Sequence, residues 1–197
     1  MIKQILAIMI YIFTAICIMN SGTIQDPHHI PKAALVKEVS DYINRVSPGS
    51  YITPKAIVDK CIEHDIDIIF VLAQGQMESN FGTAGIASTT NSVWNVNSYD
   101  GRSSQYIIKN GLGYEHPDHS ISPYISLIKN RYLTNGRTEQ DLMNQFTSSS
   151  GHRYASSLTY ESQLRSLYNR IHRTTNIKHL QSHLKKIKNT NGNDSIY

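Results

Sequence analysis

The sequence predicts a mainly α fold, a helical domain with one irregular lobe, and three observations carry that prediction. Apolar residues recur at spacings of three and four through most of the chain after Pro31. Caps and proline or glycine stops separate these runs. Between residues 82 and 121 the pattern breaks, and Gly, Ser, Thr and Asn dominate. A loop this long inside a compact domain is usually functional, so a cleft between helices and lobe is the expected place for a long polymer.

The elements follow in order. Val36, Val39, Ile43 and Val46 form one helical stripe, which Ser47-Pro48-Gly49 ends. Thr53 is an N-cap and Pro54 a first helical residue for a helix to about His64. Asp67 caps the run IIFVLAQGQMESNF. In the lobe, Gly85, Gly101, Gly111 and Gly113 permit turns, and Gln105-Tyr-Ile-Ile108 can pair as a short hairpin. Ser122-Pro123 opens a helix through Tyr124, Leu127, Ile128, Tyr132 and Leu133. Thr138 caps a short helix with Leu142, Met143 and Phe146, and Tyr160, Leu164, Leu167, Tyr168 and Ile171 mark the last core helix. No internal repeat is visible.

Composition narrows the class. The chain has 197 residues, 40% hydrophobic and 17% charged, which suffices for one domain with a core and excludes collagen, coiled-coil and low-complexity classes. Two cysteines exclude a disulfide-dense scaffold and a multi-cysteine zinc module. A net charge of +4 favours anionic partners.

The ends differ from the middle. Lys3 is the only charge before Asp26, and Ile5 to Met19 is a fifteen-residue run in which Thr14 alone is polar. That order is the grammar of a secretory signal, and the run is short for a stable span. Residues 1–22 are therefore expected to be a signal peptide or an N-terminal anchor, and the protein to be exported to the cell envelope. Bulky Ile16 argues against lipid attachment at Cys17, and Cys61, within AIVDKCI, reads as a small core residue. At the other end, Ser162 to Asn193 holds seven Lys or Arg and no Asp or Glu. Ile177, Leu180, Leu184 and Ile187 make residues 176–197 a basic amphipathic tail, either packed on the domain or attracted to an anionic envelope polymer or a nucleic acid.

The most informative chemistry ends the run after Asp67. IIFVLA is apolar all round and should be buried. Glu78 lies beyond it, on one side with Val71, Gln74 and Gly75, and Gly75 leaves room beside the acid. A carboxyl desolvated on its helix side is disfavoured in its charged form, which suits a general acid. A surface Glu in the last turn is the plain alternative.

Two other motifs carry less. His116-Pro-Asp-His119 has metal-ligand types, but its spacing matches no complete site and Pro117 prevents a regular helix from presenting the pair. Gly111-x-Gly113 follows no strand with a phosphate-loop pattern, so nucleotide binding is unsupported.

Motif context sharpens Glu78. The segments Ala73-Gln74, Glu78-Ser79-Asn80-Phe81-Gly82 and Asn91-Ser92-Val93-Trp94-Asn95-Val96 resemble the signature of the N-acetylglucosaminidase group that includes glycoside hydrolase family 73. So does Gly151-His152-Arg153-Tyr154-Ala155 followed by Tyr160, which resembles that family's Gly-Tyr-Ala-x-x-x-x-Tyr stretch, and SISPYISLIKNRYL, which resembles its helix after the lobe. The similarity runs from about residue 54 to 173. The departures are Asn80 where a Gly is usual, Ser92 for the second Asn of a pair, Asn95 for a Gly, and a short lobe without a recognisable Thr-Glu-Tyr-like segment.

The resemblance implies a lysozyme-like helical fold over residues 23–175 and a monomeric hydrolase of peptidoglycan glycan strands that needs no metal, nucleotide or other cofactor. It makes Glu78 the general acid and puts Tyr154 beside the cleaved sugar. A second acid, if used, would be Asp100 or, second, Glu115. Gln74, Asn91 and Asn95 would hydrogen-bond the sugars or tie down the loop, and Trp94 would offer a flat face to a ring or pack in the core. Muramidase and lytic transglycosylase are the neighbouring chemistries on the same fold. A non-catalytic wall-binding or structural protein is the alternative of another class.

Overall fold

The computed structural model describes residues 29–96 and 113–193. Among these it is mainly helical, with eight α-helices in order: α1 (His29–Val46), α2 (Pro54–Glu63), α3 (Ile68–Ser79), α4 (Ala87–Thr90), α5 (Ile121–Leu127), α6 (Glu139–Asn144), α7 (Tyr160–Thr174) and α8 (Ile177–Asn193). Asp100 and the expected hairpin at Gln105–Ile108 lie outside the described residues, as does the apolar N-terminal run. None of the described helices is long and apolar enough to cross a membrane.

α3 is central because no face of it can be given to water. Residues 68 to 75 are all buried, as an unbroken apolar run requires. Its ends are fixed chemically. The Asp67 carboxylate accepts from the Ile69 N–H at 2.8 Å, capping the helix start. At the other end Asn80 adopts the left-handed conformation with φ 48°, so the Asn80 N–H reaches the Gln76 carbonyl at 2.9 Å and the Phe81 N–H the Gly75 carbonyl at 3.0 Å. Neighbours close round it: α7 lies along one side, α2 and α8 on others, and α1 packs on α2 and α8.

Two expectations shift. The helix placed at Ser122-Pro123 begins at Ile121, after a 3-10 turn over Pro117–Ser120. Pro123 is then its third residue, tolerated because first-turn N–H groups have no partner within the helix. The helix expected to continue to Leu133 widens into a π-helix over Ile128–Tyr132, with the Leu133 N–H on the Ile128 carbonyl at 2.9 Å. α6 opens as read, with Thr138 and Asp141 forming a reciprocal capping box.

The basic segment is part of the packed unit. Ile177 and Leu184 of α8 are buried against the core. Gln181, 3% exposed, accepts from the Ile68 N–H at 3.1 Å and donates to the Ile66 carbonyl at 2.8 Å, so it satisfies backbone groups where α3 begins. Lys178 pairs with Asp67 at 2.5 Å and Lys185 with Asp65 at 2.6 Å.

Candidate active site

Three segments meet at the end of α3. The last turn of α3 supplies Glu78, the loop at 91–96 supplies Asn95, and the first residue of α7 is Tyr160. The Tyr160 hydroxyl donates to Glu78 Oε1 at 2.5 Å, and Asn95 Nδ2 donates to Glu78 Oε2 at 3.0 Å. Both carboxylate oxygens are thereby held by neutral donors. The side chain lines a cleft of about 270 Å³ together with Trp94, Asn95, Val96, Leu127, Arg131, Tyr132, Tyr154, Ala155 and Tyr160.

The far wall is built by the loop between α6 and α7. An antiparallel bridge joins Thr147 to Arg153, and the Tyr154 N–H donates to the Phe146 carbonyl at 2.8 Å. Arg137 donates to the carbonyls of Thr147 and Gln145. Arg153 clamps both oxygens of Glu161, at 3.0 and 2.8 Å, and Glu161 also accepts from the Phe146 N–H at 3.2 Å. Tyr154 is thus held with its ring stacked on Phe146, centroids 4.4 Å apart, and 5.5 Å from the rings of Tyr132 and Tyr160. The π-helical turn brings Arg131 and Tyr132 to the same cleft.

Asn95 explains one departure from the family pattern, and Asn80 another. Both have positive φ, 53° and 48°, where glycine is the default and asparagine the best-tolerated replacement. At position 95 the asparagine adds what glycine lacks, a side-chain donor on the acid. Ser92, buried, donates to the Val96 carbonyl at 2.7 Å and shapes the same loop.

Several expected site residues serve the scaffold. Gln74 is fully buried and cannot reach a sugar: its Oε1 accepts from the Tyr124 hydroxyl and its Nε2 donates to the Tyr160 oxygen at 3.0 Å. Trp94 is 1% exposed, stacks on Tyr124 at 4.7 Å, and donates to the Val71 carbonyl at 3.0 Å, so its face belongs to the core. The room left by Gly75 is taken by this indole and by Phe81, not by a ligand. Asn91 caps α4 with φ 55° and donates to the Tyr114 carbonyl at 2.8 Å. Glu115 is exposed and is not among the residues lining the cleft. His116 and Asp118 stabilise their own turn, and Asp118 also accepts from the Thr53 N–H at 2.7 Å. Among the described residues no group of three or more His, Cys, Asp or Glu is placed to hold a metal.

Sequence reasoning missed Tyr160 as the partner of the acid. It was visible as the closing Tyr of the Gly-Tyr-Ala-x-x-x-x-Tyr resemblance, but its reach to Glu78 spans 82 positions. Burial pushes the Tyr160 hydroxyl far above its ordinary range, and the nearby Tyr154 and Glu78 push it the same way. It therefore stays protonated and can only donate to the carboxylate. Arg131, a cation in the cleft, and Tyr132 were also missed.

No curated protein matches the chain. A family model, described as mannosyl-glycoprotein endo-beta-N-acetylglucosaminidase, matches residues 54–173, the span that carries Glu78, Asn95, Tyr154 and Tyr160. The chain belongs to this glucosaminidase family of glycoside hydrolases.

Proposed function

We propose that the protein cuts peptidoglycan glycan strands as an endo-β-N-acetylglucosaminidase, with Glu78 as the general acid. The observation that carries the reading is the pair of donors on Glu78 at the edge of an open cleft. A proton on this carboxyl passes to the glycosidic oxygen as the C–O bond breaks. The electron pair of that bond leaves with the oxygen, and the sugar departs as an oxocarbenium-like species. Glu78 is left as a carboxylate, and the hydroxyl of Tyr160 and the amide of Asn95 are already aimed at the charge that develops. They need no reorganisation when it appears. Tyr154, fixed by Phe146 and Tyr132, borders the position of the cleaved sugar and orients it.

The cation then needs a base or an internal nucleophile. In this reading Asp100 activates water from the lobe, or the substrate's own N-acetyl oxygen attacks. In this reading the N-terminal apolar run acts as an export signal or anchor, which supports a location in the envelope. Lys186 and Lys188, exposed on α8, favour retention on an anionic wall polymer.

Mass spectrometry of digested peptidoglycan tests the bond assignment. The reading predicts new reducing N-acetylglucosamine ends. Reducing muramic acid ends would assign the enzyme as a muramidase, and anhydro ends as a lytic transglycosylase.

A further inference from the structure

Glu78 is the last member of a longer hydrogen-bond chain. The Tyr124 hydroxyl donates to Gln74 Oε1, Gln74 Nε2 donates to the Tyr160 oxygen at 3.0 Å, and the Tyr160 hydroxyl donates to Glu78 Oε1 at 2.5 Å. Every bond points the same way, toward the acid. Tyr124 and Gln74 are fully buried, and Tyr160 is nearly so.

The direction has a cause. A buried hydroxyl proton without an acceptor is costly. The bond to Gln74 Oε1 gives the Tyr124 proton its acceptor in the core. That bond fixes the amide with its oxygen toward Tyr124 and its NH₂ toward Tyr160. The Tyr160 oxygen then already accepts one hydrogen bond and its proton has one outlet, the carboxyl of Glu78. With the amide reversed, Tyr160 would donate to Gln74 and turn its lone pairs to Glu78. The acid could then bury its own proton on Tyr160, away from the cleft.

We propose that Tyr124 and Gln74 are positioning residues that set the direction of this chain, so that Tyr160 cannot accept the Glu78 proton and that proton stays on Oε2, the oxygen beside exposed Asn95. The Trp94 ring stacked on Tyr124 holds the far end of the chain in register. The inference rests on Glu78 being the proton donor, but its measurement does not require turnover.

The test follows the Glu78 carboxyl by carbon NMR across pH in the full chain, beside kcat and KM on purified glycan strands. Tyr124→Phe keeps the ring and its stacking and removes the hydroxyl whose proton orients the amide. The Glu78 titration should move up by about half a pH unit, since the anion loses part of a directed donor. Turnover should fall by about tenfold with KM unchanged, because substrate contacts are intact. In a Tyr160→Phe background the same substitution should have no further effect on titration or turnover, as expected for residues acting through one hydroxyl. Gln74→Met breaks the chain one step later and should act in the same direction, which covers failure of Tyr124→Phe to fold. An unchanged or lowered titration in whichever variant folds, or effects that add fully to those of Tyr160→Phe, would overturn the proposal. Full activity in Glu78→Gln would instead defeat the general-acid reading, whatever the NMR shows.

Discussion

Asn95 illustrates how much one residue can combine. Its backbone needs a left-handed φ of 53° and its side chain touches the acid. Two substitutions separate these duties. Asn95→Gly keeps the turn and deletes the donor, so melting should stay near wild type while turnover falls by about tenfold. Asn95→Ala loses both, and should also destabilise by about 1–2 kcal/mol in thermal or denaturant unfolding. Full activity in the glycine variant would remove Asn95 from the chemistry. Gly75 shows the opposite case, a position where absence matters. A Cβ there would lie 3.1 Å from Trp94 Nε1 and 3.3 Å from the Phe81 ring. Gly75→Ala should therefore cost about 1–3 kcal/mol by overpacking, read as a lowered melting temperature.

At this scale the sequence was only partly legible. The motif picked out Glu78, and the substitutions Asn80 and Asn95 looked like departures from the pattern until their φ values showed that the backbone requirement had been kept. Gln74 and Trp94 could not be assigned in advance. A polar or aromatic side chain near an acid faces either the cleft or the core, and only long-range packing decides which.

Among the elements, α3 was readable because twelve residues with an apolar run and an Asp cap admit few placements. The start of α5 was misjudged because Ser-Pro is a good opening pair wherever it occurs, and the π-helical turn leaves no local signature. α8 was read as a tail with two fates, and its packing depends on partners in α1 and α3. Gln181 measures that packing. Gln181→Leu strands the Ile68 N–H and the Ile66 carbonyl in the core, and should cost about 1–3 kcal/mol, roughly 2–10 °C in a melt. The loop carrying Tyr154 depends on Glu161. Burial raises the proton affinity of its carboxyl, but its own and the Phe146 N–H and Arg153 outweigh that, and hold it below the ordinary value of 4.5. A depressed carboxyl stabilises the fold above its unfolded pKa, and the benefit disappears as pH falls through the lower folded value. Glu161→Gln should thus be less stable than wild type at neutral pH by about 2 kcal/mol, and the gap should close progressively below about pH 4.5. A gap independent of pH would mean that the charge on Glu161 plays no part in holding the loop.

Over the whole molecule, the architecture brings a buried helix to its one acid, the half-buried Glu78, and sets a cleft against it. The fold class was legible because helical periodicity and caps are local. The cleft was legible only as an interruption in that periodicity, since the loop at 91–96 is one of its walls and the others, α3, the π-helical turn and the loop before α7, are spread along the chain. What joins them is the carboxyl at position 78. The rate of glycan-strand cleavage by purified Glu78→Gln, beside wild type and with equal melting temperatures, tests this most directly. The account predicts a fall of about 10²–10⁴-fold, the usual contribution of a positioned general acid. A variant that cuts as fast as wild type would contradict it.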